Sequence, residues 1–169
     1  MSHRQHRRSG PRFVACAVVT VSDTRTEATD RSVRLIRTAL ERARHPVVDY
    51  RILPDEPRQV VRHLRRLARE GAARVILITG GTGITPRDST SEAVSALLEK
   101  RLDGFGEIFR LLSYREIGAA AMLSRAVAGT FRGRLVFSMR GSEAAVRLAL
   151  RRLILPELRH VAGLLETRE

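Results

Sequence analysis

The chain has 169 residues, of which 43% are hydrophobic, and it contains a single cysteine and no tryptophan. This length suits one domain with a substantial core, and one cysteine excludes an intrachain disulfide or a multi-cysteine metal site. The formal net charge of +13 invites a nucleic-acid partner, but the arginines are interleaved with carboxylates and no RRM-like or zinc-finger pattern is present, which favours a solvated basic surface.

The N-terminal residues 1–12 carry four arginines and no acidic residue, and we predict a flexible basic tail ahead of one domain over residues 13–169. The tail and the apolar run after it superficially resemble a secretory signal, but the run is short, contains Thr20 and precedes no convincing cleavage site. No segment approaches the ~18 apolar residues of a membrane span. We therefore expect a cytoplasmic protein without membrane contact, and polyanion binding through the tail stays an alternative hypothesis.

The first half of the chain alternates predicted strands and helices. One helix has Asp30 as a plausible N-cap and ends before Pro46, and the next opens near Pro57 and stops at Gly71. Strands are predicted at three apolar segments, Phe13–Val21, Val47–Leu53 and Val75–Ile78. This order with short loops predicts a three-layer α/β/α fold with helices on both faces of a mostly parallel sheet.

The third strand runs into a glycine-rich turn, Gly80-Gly81-Thr82-Gly83. Glycine permits positive φ and a close approach of the backbone to a ligand. The segment Ser89–Glu92 fits a capping box, so a helix should begin there, and anions are favoured at its N-terminal end. Walker A and dinucleotide signatures are absent. The turn is predicted to bind phosphate, with an ordinary strand-to-helix turn as the alternative, and Asp88 beside it suits a cation such as Mg²⁺.

The second half is less regular in its pattern. We predict a helix from Ser91 to about Arg101, a loop over Leu102–Arg110 that enters another helix, and an alanine-rich helix over Ile117–Ala128. A fourth strand, Leu135–Met139, leads into a second glycine turn, and one or two helices close the chain.

Polar segments follow the predicted strands at three places. Ser22-Asp23 follows the first strand, Asp55 the second, and Gly80–Asp88 the third. Ligands of parallel sheets bind beyond the carboxyl ends of the strands. We therefore expect these segments to converge on one edge and group Asp23, Asp55 and Asp88 as candidate site acids.

Seven ordered segments of the chain together resemble the MoaB/Mog family of molybdenum-cofactor biosynthesis proteins, over residues 13 to about 165. The segments are Thr20–Thr24, Ile78–Gly83, Pro86–Thr90, Gly104–Arg110, Ser113–Gly118, Leu123–Gly129 and Gly141-Ser142. The resemblance implies a trimer or a pair of trimers that binds molybdopterin. In the competent branch it implies attack of the terminal phosphate of molybdopterin on the α-phosphorus of MgATP, which gives adenylylated molybdopterin and pyrophosphate.

The resemblance also implies roles for particular residues. Asp55 and Asp88 match the acids of the active branch and are the expected catalytic residues and Mg²⁺ ligands. Each has a structural alternative, since Asp55 can favour its helix N-terminus and Asp88 can order its turn. Arg125 can hold a subunit contact instead of a phosphate. Substrate or phosphate contacts are expected at Ser22, Asp23, Gly80, Gly81, Thr82, Gly83, Thr90, Ser124, Arg125, Gly141 and Ser142.

The chain departs from the family pattern at two places. Arg140-Gly141-Ser142 stands where the family usually has Pro-Gly-Ser, and Asp30-Arg-Ser-Val33 stands where it has Asp-x-Ser-Gly. Both changes bear on the fit of the ligand. They support an alternative, a non-catalytic molybdopterin-binding or carrier protein, whereas the retained Asp55 favours catalytic competence.

Overall fold

A six-stranded sheet organises the molecule, in the order β2-β1-β3-β6-β5-β4. The structure is a computed structural model that describes residues 10–86 and 88–165. Strands β1, β2, β3 and β6 run parallel, whereas β5 pairs antiparallel with both β6 and β4. The strands are β1 Cys16–Val21, β2 Val47–Leu53, β3 Val75–Gly80, β4 Lys100–Arg101, β5 Val127–Phe131 and β6 Arg134–Met139.

Helices cover both faces of the sheet, which confirms the predicted three-layer α/β/α fold. One face packs against α1, α4, α5 and α6, and the other packs against α2 and α3. A 3₁₀ helix, Gly118–Leu123, follows α4, and a π-helical turn, Leu150–Ile154, joins α5 to α6. The helices are α1 Arg31–Arg42, α2 Pro57–Glu70, α3 Thr90–Leu97, α4 Asp103–Ile117, α5 Glu143–Ala149 and α6 Leu155–Leu164.

Most local signals in the first half act as predicted, although β1 begins at Cys16 and not at Phe13, which is exposed. The Asp30 carboxylate caps α1 by accepting the Val33 N–H at 3.0 Å. Gly71 ends α2 in the left-handed region, with φ of 75°. β2 spans Val47–Leu53 as predicted, although it is a half-buried edge strand. The flexible tail stays a prediction, since residues 1–9 lie outside the described ranges; Gly10 and Pro11 accept hydrogen bonds from Arg159.

Two predictions for the ends of α3 are wrong. The helix predicted to reach Arg101 ends at Leu97, and Lys100–Arg101 forms β4 instead. The capping box does not form, because the Ser89 side chain makes no capping hydrogen bond and Glu92 pairs with Arg125. Pairing with β5 at the sheet edge thus overrides the local helical pattern.

The predicted loop over Leu102–Arg110 is also wrong, since α4 begins at Asp103. Phe105 and Phe109, four residues apart, are both buried, and this helical spacing outweighs the cost of the two glycines. The predicted helix over Ile117–Ala128 gives way to the 3₁₀ helix and to β5. Gly129 permits that strand, because a Cβ there would lie 2.3 Å from the Lys100 carbonyl oxygen of β4.

The core consists of two apolar clusters, one on each face of the sheet. Cys16, at the start of β1, is fully buried, and burial raises the pKa of its thiol to about 12. Phe105 of α4 packs edge-on against Phe137 of β6 with ring centroids 5.1 Å apart. None of the helices in the described ranges is long and apolar enough to cross a membrane.

Candidate functional site

The carboxyl ends of the parallel strands lie at one level of the sheet. Val21 is in register with both Leu53 and Gly80, and Thr79 of β3 is in register with Met139 of β6. The segments that follow these strands therefore begin at the same edge, which confirms the predicted convergence. We call this region the site edge.

The first cluster at the site edge joins the ends of β1 and β2. The Asp55 N–H donates to Oδ1 of Asp23 at 3.0 Å. Ser22 orders the preceding turn, because its Oγ accepts the backbone N–H groups of Thr24 and Arg25 at 3.3 and 3.2 Å. Oδ1 of Asp55 is buried and has no hydrogen-bond partner among the described residues. A buried carboxylate oxygen is costly when it is unpaired, so this atom is a candidate ligand for a cation.

The glycine turn after β3 approaches its neighbours too closely for side chains. Gly80 and Gly81 have φ of 91° and 62°. A Cβ on Gly80 would lie 2.2 Å from the Val21 carbonyl oxygen, and one on Gly81 would lie 2.9 Å from Cγ2 of Thr90. The sequence interpretation of these glycines as backbone requirements is confirmed.

Asp88 folds back onto the same turn. Its Oδ2 accepts the N–H of Thr85 at 2.8 Å and the hydroxyl of Thr85 at 2.6 Å. A Cβ on Gly83 would lie 2.3 Å from the same Oδ2, so only glycine admits the carboxylate here. Asp88 therefore orders the turn, whichever further role it has.

Arg125 holds the turn from outside. Its guanidinium donates to the carbonyl oxygens of Thr82 at 3.4 Å, of Asp88 at 3.0 Å and of Gly83. It also pairs with the carboxylate of Glu92 in α3. The pKa of Glu92 is lowered mainly by a hydrogen bond from the backbone N–H of Glu92 to its own carboxylate, and next by the hydrogen bond from Arg125. The sequence predicted a phosphate contact for Arg125, whereas the structure shows it engaged with the backbone of the turn.

Two buried hydroxyls lie beside these contacts. Oγ1 of Thr90 and Oγ of Ser124 are buried without a hydrogen-bond partner in the part of the chain that the structure describes. Thr90 opens α3 directly behind Gly81, and Ser124 precedes Arg125 in sequence. Both residues were predicted to contact substrate, and unsatisfied hydroxyl groups at these positions are compatible with that prediction.

The second glycine turn, Arg140-Gly141-Ser142, connects β6 to α5. The Gly141 carbonyl oxygen accepts two hydrogen bonds of 2.6 Å, from Nη2 of Arg25 and from Oγ of Ser32. A Cβ on Gly141 would lie 3.4 Å from the Gly80 backbone nitrogen, so the two glycine turns are in contact. Ser142 caps α5 by accepting the Ala145 N–H at 3.3 Å.

The family model described as "Probable molybdopterin binding domain" matches residues 17–160. Among the relatives, molybdenum cofactor biosynthesis protein B of Halalkalibacterium halodurans is 52% identical over 162 residues, with 95% of each chain covered. This chain belongs to the MoaB/Mog family of molybdenum cofactor biosynthesis proteins.

Solved structures agree with that membership. A crystal structure of molybdenum cofactor biosynthesis protein B superposes with a TM-score of 0.89 at 50% identity, covering 92% of this chain and 98% of the other. The tungsten cofactor synthesizing protein MoaB from Pyrococcus furiosus gives a TM-score of 0.82 at 39% identity, covering 93% and 99%. The MoaB/Mog fold therefore extends over nearly the whole chain.

One cluster of buried polar residues behind the site edge was missed by the sequence interpretation. Asp30 is fully buried and accepts the hydroxyls of Thr20 at 2.6 Å and Tyr50 at 3.1 Å, while Nη1 of Arg25 lies 3.6 Å from its Oδ1. Burial, and then the Asp30 charge, raises the pKa of Tyr50. Arg25 in turn donates a hydrogen bond to the Gly141 carbonyl oxygen. Asp30 was predicted only as an N-cap, and Arg25 was not selected.

Ser32 was missed as well, although a signal for it existed. The segment from Asp30 to Val33 was singled out for its departure from the family pattern, yet its serine received no role. Its hydroxyl turns out to contact the second glycine turn, 109 residues away in sequence.

Proposed function

We propose that the protein binds molybdopterin and MgATP at the site edge and catalyses adenylyl transfer. An oxygen of the terminal phosphate of molybdopterin forms a bond to the α-phosphorus of ATP. The bond from that phosphorus to the bridging oxygen breaks, and pyrophosphate leaves. The observation that carries the proposal is the buried, unpartnered Oδ1 of Asp55 at the edge where the two glycine turns meet. A cytoplasmic location is part of the proposal.

The glycine turns supply the phosphate contacts in this proposal. Transfer of this kind needs positioning and charge neutralisation more than covalent help from the protein. Gly80 and Gly81 bring backbone close to Val21 and Thr90 without intervening side chains. Gly141 and Ser142 lie at the adjoining turn, at the start of α5, where anions are favoured.

The carboxylates of Asp55 and Asp88 are suitable ligands for Mg²⁺. This ion is commonly bound through one or two carboxylates together with phosphate oxygens of the substrate. The described residues contain no group of three or more histidines, cysteines and acids that could hold a metal. Asp55 and Asp88 would supply the protein ligands, and the bound ion would neutralise the negative charge of the phosphates. The two carboxylates would keep it at the site edge.

The test is an assay with molybdopterin, ATP and Mg²⁺, with the products separated by chromatography. We expect adenylylated molybdopterin and pyrophosphate in equal amounts, and a loss of at least about 100-fold in rate for Asp55→Asn. Glu56→Gln is the matched control, since Glu56 is the adjacent acid, is exposed and makes no capping hydrogen bond. Absence of product with well-folded protein defeats the proposal.

A second candidate is a carrier that binds molybdopterin without adenylylating it. The hydrogen bonds of Asp88 and Arg125 favour it, because both side chains are occupied in ordering the first glycine turn. Asp88→Asn separates the two candidates, since an amide oxygen still accepts from Thr85 but carries no charge. Loss of turnover with retained binding supports the enzyme. Binding of molybdopterin by the wild type without ATP consumption supports the carrier.

Assembly into a trimer, or a pair of trimers, belongs to the same proposal. Four apolar residues of α4 are about half exposed or more, namely Ile108, Leu111, Tyr114 and Ile117. Exposed apolar surface of this kind marks sites of protein association. Size-exclusion chromatography with light scattering should give a trimer or hexamer for the wild type and smaller species for Leu111→Asp. A monomeric wild type contradicts the trimer itself.

A further inference from the structure

A concave surface outside the site edge lies between α1 and the helical segment formed by α5, the π-helical turn and α6. The volume of this open groove is about 800 Å³. Its apolar part is formed by Leu35 and Ala39 of α1 and by Leu150 and Leu155 opposite them. None of the strand-end segments of the site edge lines it. We call this surface the arginine groove, because four arginines line it.

Arginines stand on both walls of the groove. Arg34 and Arg42 belong to α1, whereas Arg147 lies on α5 and Arg151 on the π-helical turn. All four are exposed. The remaining lining residues include no carboxylate. The groove therefore combines an apolar floor with four positive charges.

These charges are not neutralised within the groove. In residues 10–86 and 88–165, neither Arg42, Arg147 nor Arg151 forms an ion pair, and Arg34 donates to the Ala28 carbonyl oxygen at 3.1 Å. Arg147 and Arg151 are four residues apart on one helical segment, and like charges at this spacing repel each other. An acidic occupant would remove this repulsion and cover the apolar floor at the same time.

The π-helical turn that carries Leu150 and Arg151 has a local cause. Pro156 follows two residues after the turn ends; it has no N–H to donate, and its ring conflicts with the carbonyl four residues earlier, at Arg152. The chain therefore leaves α-helical geometry over Leu150–Ile154. This irregular turn forms one wall of the groove.

We propose that the arginine groove binds an acidic amphipathic helix of a partner protein. Both walls are helical and use their backbone groups internally, so the occupant cannot add as a strand and must bind through side chains. An amphipathic helix does so with apolar anchors at positions i, i+4 and i+7, here flanked by carboxylates that face the arginines. The net charge of +13 disfavours a second copy of the chain in this groove, because that copy would bring further positive charge to the four arginines. This inference is independent of adenylyl transfer.

The probe is a synthetic, fluorescently labelled helical peptide of about 15 residues, with leucines at i, i+4, i+7 and i+11 and glutamates on the flanking positions. A peptide with the same composition in scrambled order has the same charge but no apolar stripe. Anisotropy titrations with the full chain at physiological salt should show tighter binding of the striped peptide, by at least about tenfold. Equal binding of the two peptides overturns the proposal.

Two charge-reversed variants locate the interaction. Arg147→Glu/Arg151→Glu should weaken binding of the striped peptide by at least about tenfold. Arg65→Glu/Arg69→Glu makes the same charge change at the same spacing on exposed positions of α2, on the opposite layer, and should change the affinity by less than about twofold. Circular dichroism and thermal unfolding confirm that both variants fold.

Other outcomes are equally decisive. Equal losses in the two variants mean general attraction to a basic protein and overturn the proposal. Binding to phosphatidylserine vesicles that depends on Arg147 and Arg151, without discrimination between the peptides, assigns the groove to an anionic membrane surface instead. If the chain self-associates with increasing concentration and Arg147→Glu/Arg151→Glu abolishes this association, the groove is assigned to a second copy of the chain and the proposal is overturned.

Discussion

The two glycine turns at the site edge are in contact, but they are stabilised in different ways. The turn after β3 is long and depends on side chains that act on several of its backbone groups: Arg125 binds three carbonyl oxygens, and Asp88 binds Thr85 twice. The turn after β6 is short and depends on one carbonyl oxygen, that of Gly141, which accepts from Arg25 and Ser32. The first turn is therefore a loop whose conformation depends on two side chains, those of Arg125 and Asp88. The second turn is a short connection between β6 and α5 that is anchored at a single carbonyl oxygen.

This difference predicts how each turn responds to mutation. Losing a clamp of the first turn frees several residues together, including Asp88, so its effects should reach function. Losing one donor to Gly141 leaves the other in place, so the second turn should tolerate single changes better. The following substitutions test this contrast, from the largest expected effect to the smallest.

Gly80→Ala should have the largest effect, because the two turns meet at this residue. Its φ of 91° disfavours a side chain, and the new Cβ would lie 2.2 Å from the Val21 carbonyl oxygen within the sheet. We expect a loss of about 4 kcal/mol in the free energy of unfolding, measured by urea denaturation.

The control for this change is Gly133→Ala in the hairpin between β5 and β6. Gly133 also has positive φ, 70°, but a Cβ there meets no atom within 4 Å. It should cost only about 1 kcal/mol. Similar losses for the two variants would mean that backbone conformation, and not the close contact with Val21, dominates at Gly80.

Arg125→Met should release the first turn. The substitution removes hydrogen bonds to three carbonyl oxygens and the pair with Glu92, and we expect a loss of about 3 kcal/mol in unfolding free energy. Hydrogen exchange of the amides from Gly81 to Thr85 should accelerate, and the proposed adenylyl transfer should fall with it.

Arg101→Met serves as the comparison for Arg125. The pair between Arg101 and Asp103 is exposed, so its loss should change stability by less than about 0.5 kcal/mol. Arg125→Lys should restore only part of the effect, since an ammonium group lacks the planar fork that reaches several carbonyls. Unchanged exchange in Arg125→Met would remove this residue as the clamp of the turn.

Asp30→Asn tests the support behind the second turn. Asparagine can still accept the Val33 N–H, but it cannot balance the charge of Arg25 or accept equally from Thr20 and Tyr50. We expect a loss of about 2 kcal/mol by urea denaturation, because the residue is fully buried. Exchange in the first turn should stay unchanged, and an acceleration there would show that the two turns are coupled.

Ser142→Ala should have the smallest effect. It removes one side-chain cap from α5, which is worth about 1 kcal/mol. Ser142→Asn retains a capping oxygen and should stay within about 0.5 kcal/mol of the wild type. If the two variants lose equal stability, the cap is not the reason that serine suits this position.

The parts of the fold that were predicted from sequence rest on short-range physics. Asp30 caps the helix that begins beside it, Gly71 ends one in the left-handed region, and the β-branched run from Val75 makes a buried strand. The missed strands rest on long-range pairing. Strand β4 consists of only two residues, Lys100 and Arg101, and both are exposed and polar. They form a strand because they pair with β5.

The candidate site likewise contains residues that local sequence predicts and residues that depend on long-range contacts. The glycines and acids could be selected because each follows a strand, and strand ends converge in a parallel sheet. Arg25, Ser32 and Arg125 bind backbone carbonyl oxygens that lie between 37 and 116 residues away in sequence. No local pattern encodes such contacts, so Arg25 and Ser32 were overlooked and the hydrogen bonds of Arg125 to the turn were not predicted.

Cys16 gives these stability differences a direct kinetic readout. It is the single cysteine of the sequence, it is fully buried in the second strand of the sheet order, and its thiol resists deprotonation at neutral pH. A thiol-labelling reagent should therefore react only when β1 separates from its neighbours. Labelling rates would then distinguish variants that open a loop from variants that open the sheet, without any added probe.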